Sequence, residues 1–410
     1  MTDVPLVEKP RLTGRFASVD RTAEWLTAFM VTLLVLRIPG SLFVTVAIAV
    51  LQLFALPLHI PHRRARLWLW TLVLGTVTSS VALVTVAREP ELVGFPVITA
   101  AFLLVSLTLT GTTLGRRLAR VMITTCYWCF GITLLIGVGE IITGFRVSNL
   151  LYPDSSSSQL ATSRFEVSAF YPNYNDFSVV LAMFVTLLAV RILFDHTSRF
   201  RTALRGFLVV LTTGLVFLQG SRGALLALLV GIAAAIWINL RTRVSSRFMS
   251  LLTLIALIAA IAVGMLVWNS PWVQDNSTKE RGGVINRILS ITPDSHLQFW
   301  FGWGTQSNYQ LAARQNYPGE LMDPHNVLME ALIWFGMPVA LLFVAFWVQV
   351  VWRGAWKLEV ESLDWQPLAS VIVVALMPIL GIVPSSTFRY YLIFLFSAAA
   401  AVAISTRRTV

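Results

Sequence analysis

Apolar runs and polar gaps alternate along nearly the whole chain. About twelve runs approach the roughly 20 residues a helix needs to cross a hydrocarbon core. They fall near 24–37, 41–60, 67–87, 92–112, 118–143, 174–194, 205–220, 222–240, 249–268, 325–351, 366–383 and 389–405. Lipid offers the backbone no hydrogen-bond partner, so such runs must be helices. The pattern therefore predicts an all-α polytopic membrane protein of about twelve spans. The first run is short and stops at Arg37, just before Pro39 and Gly40. Spans seven and eight are joined by a tight turn at Gln219-Gly220-Ser221-Arg222-Gly223.

Two gaps are long enough to fold. Residues 145–173 contain the serine run Ser155 to Ser158, a composition that favours a flexible surface patch. Residues 269–324 carry Trp272, Trp300, Trp303, Tyr309 and Tyr317, and suit a cap at the membrane interface. Gly302-Trp303-Gly304 predicts a tight turn within it. The expected organisation is a tail over 1–23, spans over 24–268, a loop domain over 269–324, spans over 325–405 and a short tail over 406–410.

Charge orients this pattern. Every second gap is rich in arginine, and those gaps together hold 21 of the 31 basic residues. The positive-inside rule places them in the cytoplasm, with both termini. The other basic residues fall among the unusual polar motifs, which puts the candidate chemistry on the far side of the membrane, where there is no ATP. The mean hydropathy of +0.75, with 12% charged residues, is not that of a soluble protein. The net charge of +11 invites a nucleic-acid partner. The even scatter of arginines over the inner loops argues against one and for contacts with anionic membrane lipid. Cys126 and Cys129 form a CxxC inside an apolar helix. They are expected to be small core residues, since a metal or redox site would need further ligands or solvent access.

Three outer motifs share one geometric property. Pro172-Asn173 precedes span six, Ser221-Arg222-Gly223 opens span eight, and Asp323-Pro324-His325-Asn326 opens span ten. All three helices run from outside to inside and present their N-termini outward, as does the helix after Ser386-Thr387-Phe388-Arg389. A helix N-terminus carries unpaired N–H groups and about half a positive charge. Asn173, Ser221 and Asp323 are good N-cap types, and Pro324 suits a first helical turn. Such ends converging beside arginines would hold a phosphate.

Each residue has a plainer role open to it. Arg222 either snorkels to the headgroups or faces a cavity; Ser221 and Gly223 beside it favour the cavity. His325 is a structural cap or a base: the helix dipole favours its neutral form, while Asp323 opposes that. Glu330, one turn on from Asn326, either holds Asn326 or an arginine in place or is a buried carboxyl satisfied by a neighbour. Arg164, Lys279, Arg281, Arg287 and Arg314 are surface charges unless the site claims them. Glu140 and Asp176 each have Arg146 or Arg164 as a candidate partner. His59 and His62 fit an inner loop, and no ligand spacing links His325 and His296 to a metal.

Three segments resemble the O-antigen ligase/polymerase superfamily of bacterial membrane proteins. They are RFEVSAFYPNYN from Arg164 to Asn175, QGSRGALLAL from Gln219 to Leu228, and Phe301 to Gly336 with FGWGTQSNY and DPHNVLMEALIWFG. SRGALLAL and the helical PHN-x-x-x-E pattern are the specific parts. The resemblance covers roughly residues 160–340. Tyr174-Asn175-Asp176 departs from it, since many members carry small apolar residues there.

The resemblance implies a GT-C-like, metal-independent glycosyltransferase with no cofactor. Such a protein transfers a glycan from a polyprenyl-pyrophosphate carrier to a glycan or lipid acceptor hydroxyl at the outer face of the bacterial cytoplasmic membrane. It implies that Arg222 holds the pyrophosphate, that Arg164 and Arg287 assist, and that His325 is the base or orients the acceptor. Asn173, Ser221, Asn326, Glu330 and Arg389 join them as candidate substrate-binding residues. Ligation to a different molecule and polymerisation of repeat units share this chemistry. A lipid-linked glycan transporter is the competing class, though transporters favour broken helices and ionisable residues near the midplane.

Overall fold

The computed structural model describes residues 14–38, 47, 70–81, 113–151, 164–195, 198–268, 283–284, 286–287, 290, 296–303, 309, 315–317, 326–356, 364–383 and 392–405. All regular structure among them is helical. In chain order the helices are α1 (Gly14–Val35), α2 (Trp70–Val81), α3 (Thr113–Thr143), α4 (Val147–Leu151), α5 (Tyr174–Phe194), α6 (Arg199–Leu218) and α7 (Arg222–Arg241). There follow α8 (Ser246–Trp268), α9 (His296–Phe301), α10 (Val327–Trp356), α11 (Trp365–Ala375), α12 (Met377–Leu380) and α13 (Leu392–Ser405). Among the described residues, α3, α5, α6, α7 and α10 are long and apolar enough to cross a membrane. The expected spans near 41–60 and 92–112 and most of the 269–324 loop lie outside the described residues.

Helix α5 is the axis of the bundle. It is apolar on every face, and each residue from Asp176 to Val190 is buried, as expected of a helix enclosed by others. It packs against α3, α6, α7 and α11, while α13 closes the bundle against α3 and α11. At 1.5 Å per residue, α5 is about 30 Å long, so its ends lie at opposite boundaries of a hydrocarbon core.

Two expected helices differ from their spans. α1 begins at Gly14, so the second half of the expected tail is already helical. The expected span 366–383 is divided at Leu376 into α11 and α12. Pro378 lacks the N–H that would continue the ladder, and its ring crowds the carbonyl one turn back.

A third irregularity lies within α10. Gly336 has φ 81° and ψ 173° and breaks the helix, with Pro338 following. The break exposes two carbonyls, and both find donors. Trp303 N–H donates to Ile333 O at 2.5 Å, and the Ser79 hydroxyl of α2 donates to Phe335 O at 2.7 Å. The loop thus reaches α10 through α9 and Gly302.

At the Asp195 end of α5, one carboxylate serves two arginines. Asp195 Oδ2 accepts from Arg191 Nε at 3.2 Å and from Arg205 Nη2 at 2.9 Å. Arg191 also lies over the rings of Tyr127 and Trp365, at 4.5 and 4.7 Å from their centroids. Beside Trp365, Asp364 pairs with Arg120 at 2.5 Å.

Candidate active site

The Asn173 end of α5 is built from buried polar side chains that hold loop backbone in place. Glu140, near the end of α3, is buried. Its Oε1 accepts from Val147 N–H at 2.7 Å, and its Oε2 accepts from the N–H groups of Ser168 and Ala169, each at 3.1 Å. The expected pairing of Glu140 with Arg146 or Arg164 is therefore corrected. The nearby turn offers several unpaired N–H groups, and a buried carboxylate is well satisfied by them. Both arginines turn to carbonyls. Arg146 donates to Glu166 O, and Arg164 donates through Nε to Ile141 O at 2.6 Å and through Nη2 to Ile142 O at 2.8 Å. Arg164 itself is exposed and caps the last turn of α3.

From the other side Gln219 donates to Val167 O at 3.0 Å, and its Oε1 meets the Ser178 hydroxyl. The loop ends at Tyr171, whose hydroxyl donates to Val35 O of α1 at 2.9 Å. Burial pushes this phenol up from its ordinary pKa, and the nearby Arg37 guanidinium pulls the other way.

The helix caps divide unevenly. Asn173 is the N-cap of α5: its Oδ1 accepts from Asp176 N–H at 3.0 Å, and its Nδ2 donates to Asp176 Oδ2 at 2.8 Å. Ser221 precedes α7 but makes no side-chain cap there; its hydroxyl instead lies 3.4 Å from Asn175 Oδ1. The N-cap of α10 is Asn326, whose Oδ1 accepts from Leu328 N–H at 2.9 Å and Met329 N–H at 3.2 Å. Helix α10 starts at Val327, after the expected opening at Asp323. Glu330, one turn into α10, is fully buried.

These helix starts meet. A Cβ on Gly223 would stand 2.6 Å from a methyl of Val383, and a Cβ on Gly381 would stand 2.8 Å from Cβ of Val327. The 381–383 turn therefore touches the first turn of α7 and the first turn of α10. Ser221 in turn joins α7 to Asn175 in the first turn of α5. Arg222, the first residue of α7, is half-buried at this junction.

A narrow cleft of about 30 Å³ lies beside Asp176, between α5, α11, α12 and α13. Below Asp176 its lining is wholly apolar, with Val179, Met183, Leu380, Leu392 and Phe396 among the residues.

Of the expected site residues, Asn173, Ser221, Arg222, Asn326 and Glu330 are gathered around this junction. Arg164 is set on the end of α3. Arg287 is in the loop, 6.0 Å from the Tyr317 ring centroid, and Ser290 Oγ lies 2.8 Å from the Tyr317 hydroxyl. His325 and Arg389, with Asp323 and Pro324, lie outside the described residues. Sequence reasoning missed Gln219 and Tyr171 and gave Glu140 the wrong partners. The only local signal for them was the occurrence of polar side chains at the ends of apolar runs.

The described helices include five long and apolar enough to cross a membrane, and the starts of α5, α7 and α10 gather beside Arg222 at one end of the bundle. Residues 207–344 match the family model described as O-antigen ligase. The match supports an O-antigen ligase/polymerase-type family for this chain, and with the apolar helices it points to a membrane enzyme of the bacterial inner membrane. It spans Ser221, Arg222, Arg287, His325, Asn326 and Glu330, whereas Arg164, Asn173 and Arg389 lie outside it. No curated protein matches the chain.

Proposed function

We propose that this protein is a glycosyltransferase that moves a glycan from a polyprenyl-pyrophosphate carrier to an acceptor hydroxyl at the outer face of the membrane, as an O-antigen ligase does. The observation that carries this reading is the contact of the 381–383 turn with both Gly223 and Val327, which brings the starts of α7 and α10 together beside Arg222. The apolar lining beside Asp176 supports a lipid-linked donor, whose prenyl chain would run along these helices while its headgroup stays at the helix ends.

A glycosyl pyrophosphate is already activated. The acceptor oxygen attacks the anomeric carbon, the carbon–oxygen bond to the pyrophosphate breaks, and polyprenyl pyrophosphate leaves with the bonding pair. Arg222 and the helix N-termini stabilise the growing negative charge. His325 takes the acceptor proton, a contribution of about 10²–10⁴-fold in rate. Direct displacement inverts the anomeric centre. Arg287 and Arg164 assist the headgroup, Arg389 adds charge at the mouth, and Asn173, Asn326 and Glu330 fix the walls. No metal or cofactor takes part. Both termini lie in the cytoplasm and about twelve spans complete the fold.

The test is glycan transfer by purified protein from a polyprenyl-pyrophosphate glycan. Wild-type turnover in both Arg222→Ala and His325→Ala would overturn these roles. A product in which the acceptor is another repeat unit would make the enzyme a polymerase. The breaks at Gly336 and Leu376 favour a second reading, a lipid-linked glycan transporter. Counterflow of the intact donor in liposomes, with no glycosidic bond formed, would establish it.

A further inference from the structure

Gln219 joins the loop that leads into Asn173 to helix α5, and it does so from the end of α6. It is the C-cap of α6 and is only 4% exposed. Its amide has a donor end and an acceptor end. A backbone carbonyl can only accept, so the nitrogen faces Val167 O, at 3.0 Å. The oxygen then faces the Ser178 hydroxyl, early in α5. One side chain thus fastens two segments that lie 52 and 41 residues away in the chain.

The other clamps on this loop come from elsewhere. Glu140 of α3 holds the N–H groups of Ser168 and Ala169, the Ser148 hydroxyl of α4 pairs with that of Ser168 at 2.8 Å, and Tyr171 reaches Val35 of α1. None of these side chains belongs to the turn that carries Arg222. Gln219 stands three residues before Arg222.

That short stretch is held along its length. Gly220 takes φ 70°, and its N–H donates to Phe217 O at 3.0 Å. Ser221 O accepts from Leu225 N–H at 2.9 Å and so begins the ladder of α7. Ser221 is buried, and its hydroxyl lies 3.4 Å from Asn175 Oδ1. Asn175 and Ser178 are three residues apart and share one face of α5. Gln219 and Ser221 therefore meet that face at two points, and the chain between α6 and Arg222 has little slack. A misplacement of about 1 Å by a residue remote from the chemistry can cost a large factor in rate or binding.

We infer that Gln219 is a positioning residue for donor binding: through Val167 and Ser178 it holds the start of α7, and Arg222 with it, in register with the first turn of α5. This rests on the proposed role of Arg222 and adds a residue that acts through it.

The competing role is packing, and salt separates the two. Attraction between a guanidinium and a pyrophosphate weakens as salt screens it. Loss of that attraction lowers affinity and also flattens its response to salt. A packing defect lowers the thermal midpoint and leaves the response to salt as in wild type.

Binding of farnesyl diphosphate to the purified full-length protein is measured across a range of sodium chloride concentrations, with the thermal midpoint, for wild type, Gln219→Met, Ser178→Ala and Arg222→Gln. Methionine keeps the length of glutamine and removes both bonds. Ser178→Ala removes one bond and leaves the one to Val167. The expected affinity of Gln219→Met at low salt is roughly tenfold weaker, the size of one lost charge-assisted contact, with the flattened salt response of Arg222→Gln. Ser178→Ala should change in the same sense by about threefold, the size of one neutral hydrogen bond. Wild-type affinity in Gln219→Met overturns the inference, as does weaker binding with the salt response of wild type. If Gln219→Met does not fold, wild-type binding by Ser178→Ala overturns it. If Arg222→Gln binds as wild type does, or wild type does not bind the probe, the reading of the pocket falls and the role of Gln219 with it.

Discussion

Gly302 and Gly336 cross backbone against backbone, and neither has room for a side chain. A Cβ on Gly336 would collide with the Trp300 carbonyl, and one on Gly302 would meet the Trp334 carbonyl group. Both have positive φ, 75° and 81°. Gly336→Ala therefore combines a steric clash with a disfavoured backbone, a loss of about 1–3 kcal/mol or more. The variant is expected to have a lower thermal midpoint in detergent. Because the crossing fixes α10 below Glu330, its transfer rate should fall as well. A midpoint equal to that of wild type would show that the loop does not need this contact.

Glu140 is the second target. Its carboxylate accepts three backbone N–H groups, two of them from Ser168 and Ala169, the latter at a positive φ of 48°. Glu140→Gln keeps the shape but replaces one accepting oxygen with an NH₂ that faces donors. The expected cost is about 1.5–3 kcal/mol for a hydrogen bond to a charged group. The variant should unfold at lower temperature and transfer more slowly; differential scanning of protein in detergent micelles checks the first effect.

The caps predict a difference between structure and chemistry. Asn326→Ala removes the acceptor for two N–H groups of α10 and should cost about 1 kcal/mol of stability. Arg222→Ala should leave the midpoint near wild type and reduce donor turnover by at least an order of magnitude, the loss expected when a charge-assisted contact disappears. Side-by-side measurements of midpoint and turnover check both. Equal loss of midpoint in the two variants would make Arg222 structural.

At the far end of α5, Asp195 is the one carboxylate among the described residues that pairs with both Arg191 and Arg205. Asp195→Asn leaves two guanidinium groups close together without a counter-charge. It should destabilise the protein by about 1–3 kcal/mol. Arg205→Met should cost less, since Arg191 keeps its partner. Chemical denaturation of the two variants tests the order.

Much of this architecture was legible in the sequence because it is local. Hydrophobic runs give helices, and Asn173 three residues before Asp176 gives a cap. The cap of α10 was misplaced because Asp323 and Asn326 are both good cap residues, and only the backbone decides between them. Ser221 was read as the cap of its own helix; its hydroxyl is drawn to Asn175, 46 residues away in the chain. The Gly302–Gly336 crossing and the grip of Glu140 on residues 168–169 join distant segments, so no periodicity could reveal them. Arg37 was visible only as the end of a span, since its left-handed backbone, with φ 52°, leaves no trace in composition.

Because α5 touches protein on every side from Asp176 to Val190, no fluid lipid can adjust to a change in its side-chain volume. An added or missing methyl group there must be absorbed by rigid neighbours. The helix with the least chemistry along its length is thus expected to tolerate the fewest replacements in a deep mutational scan.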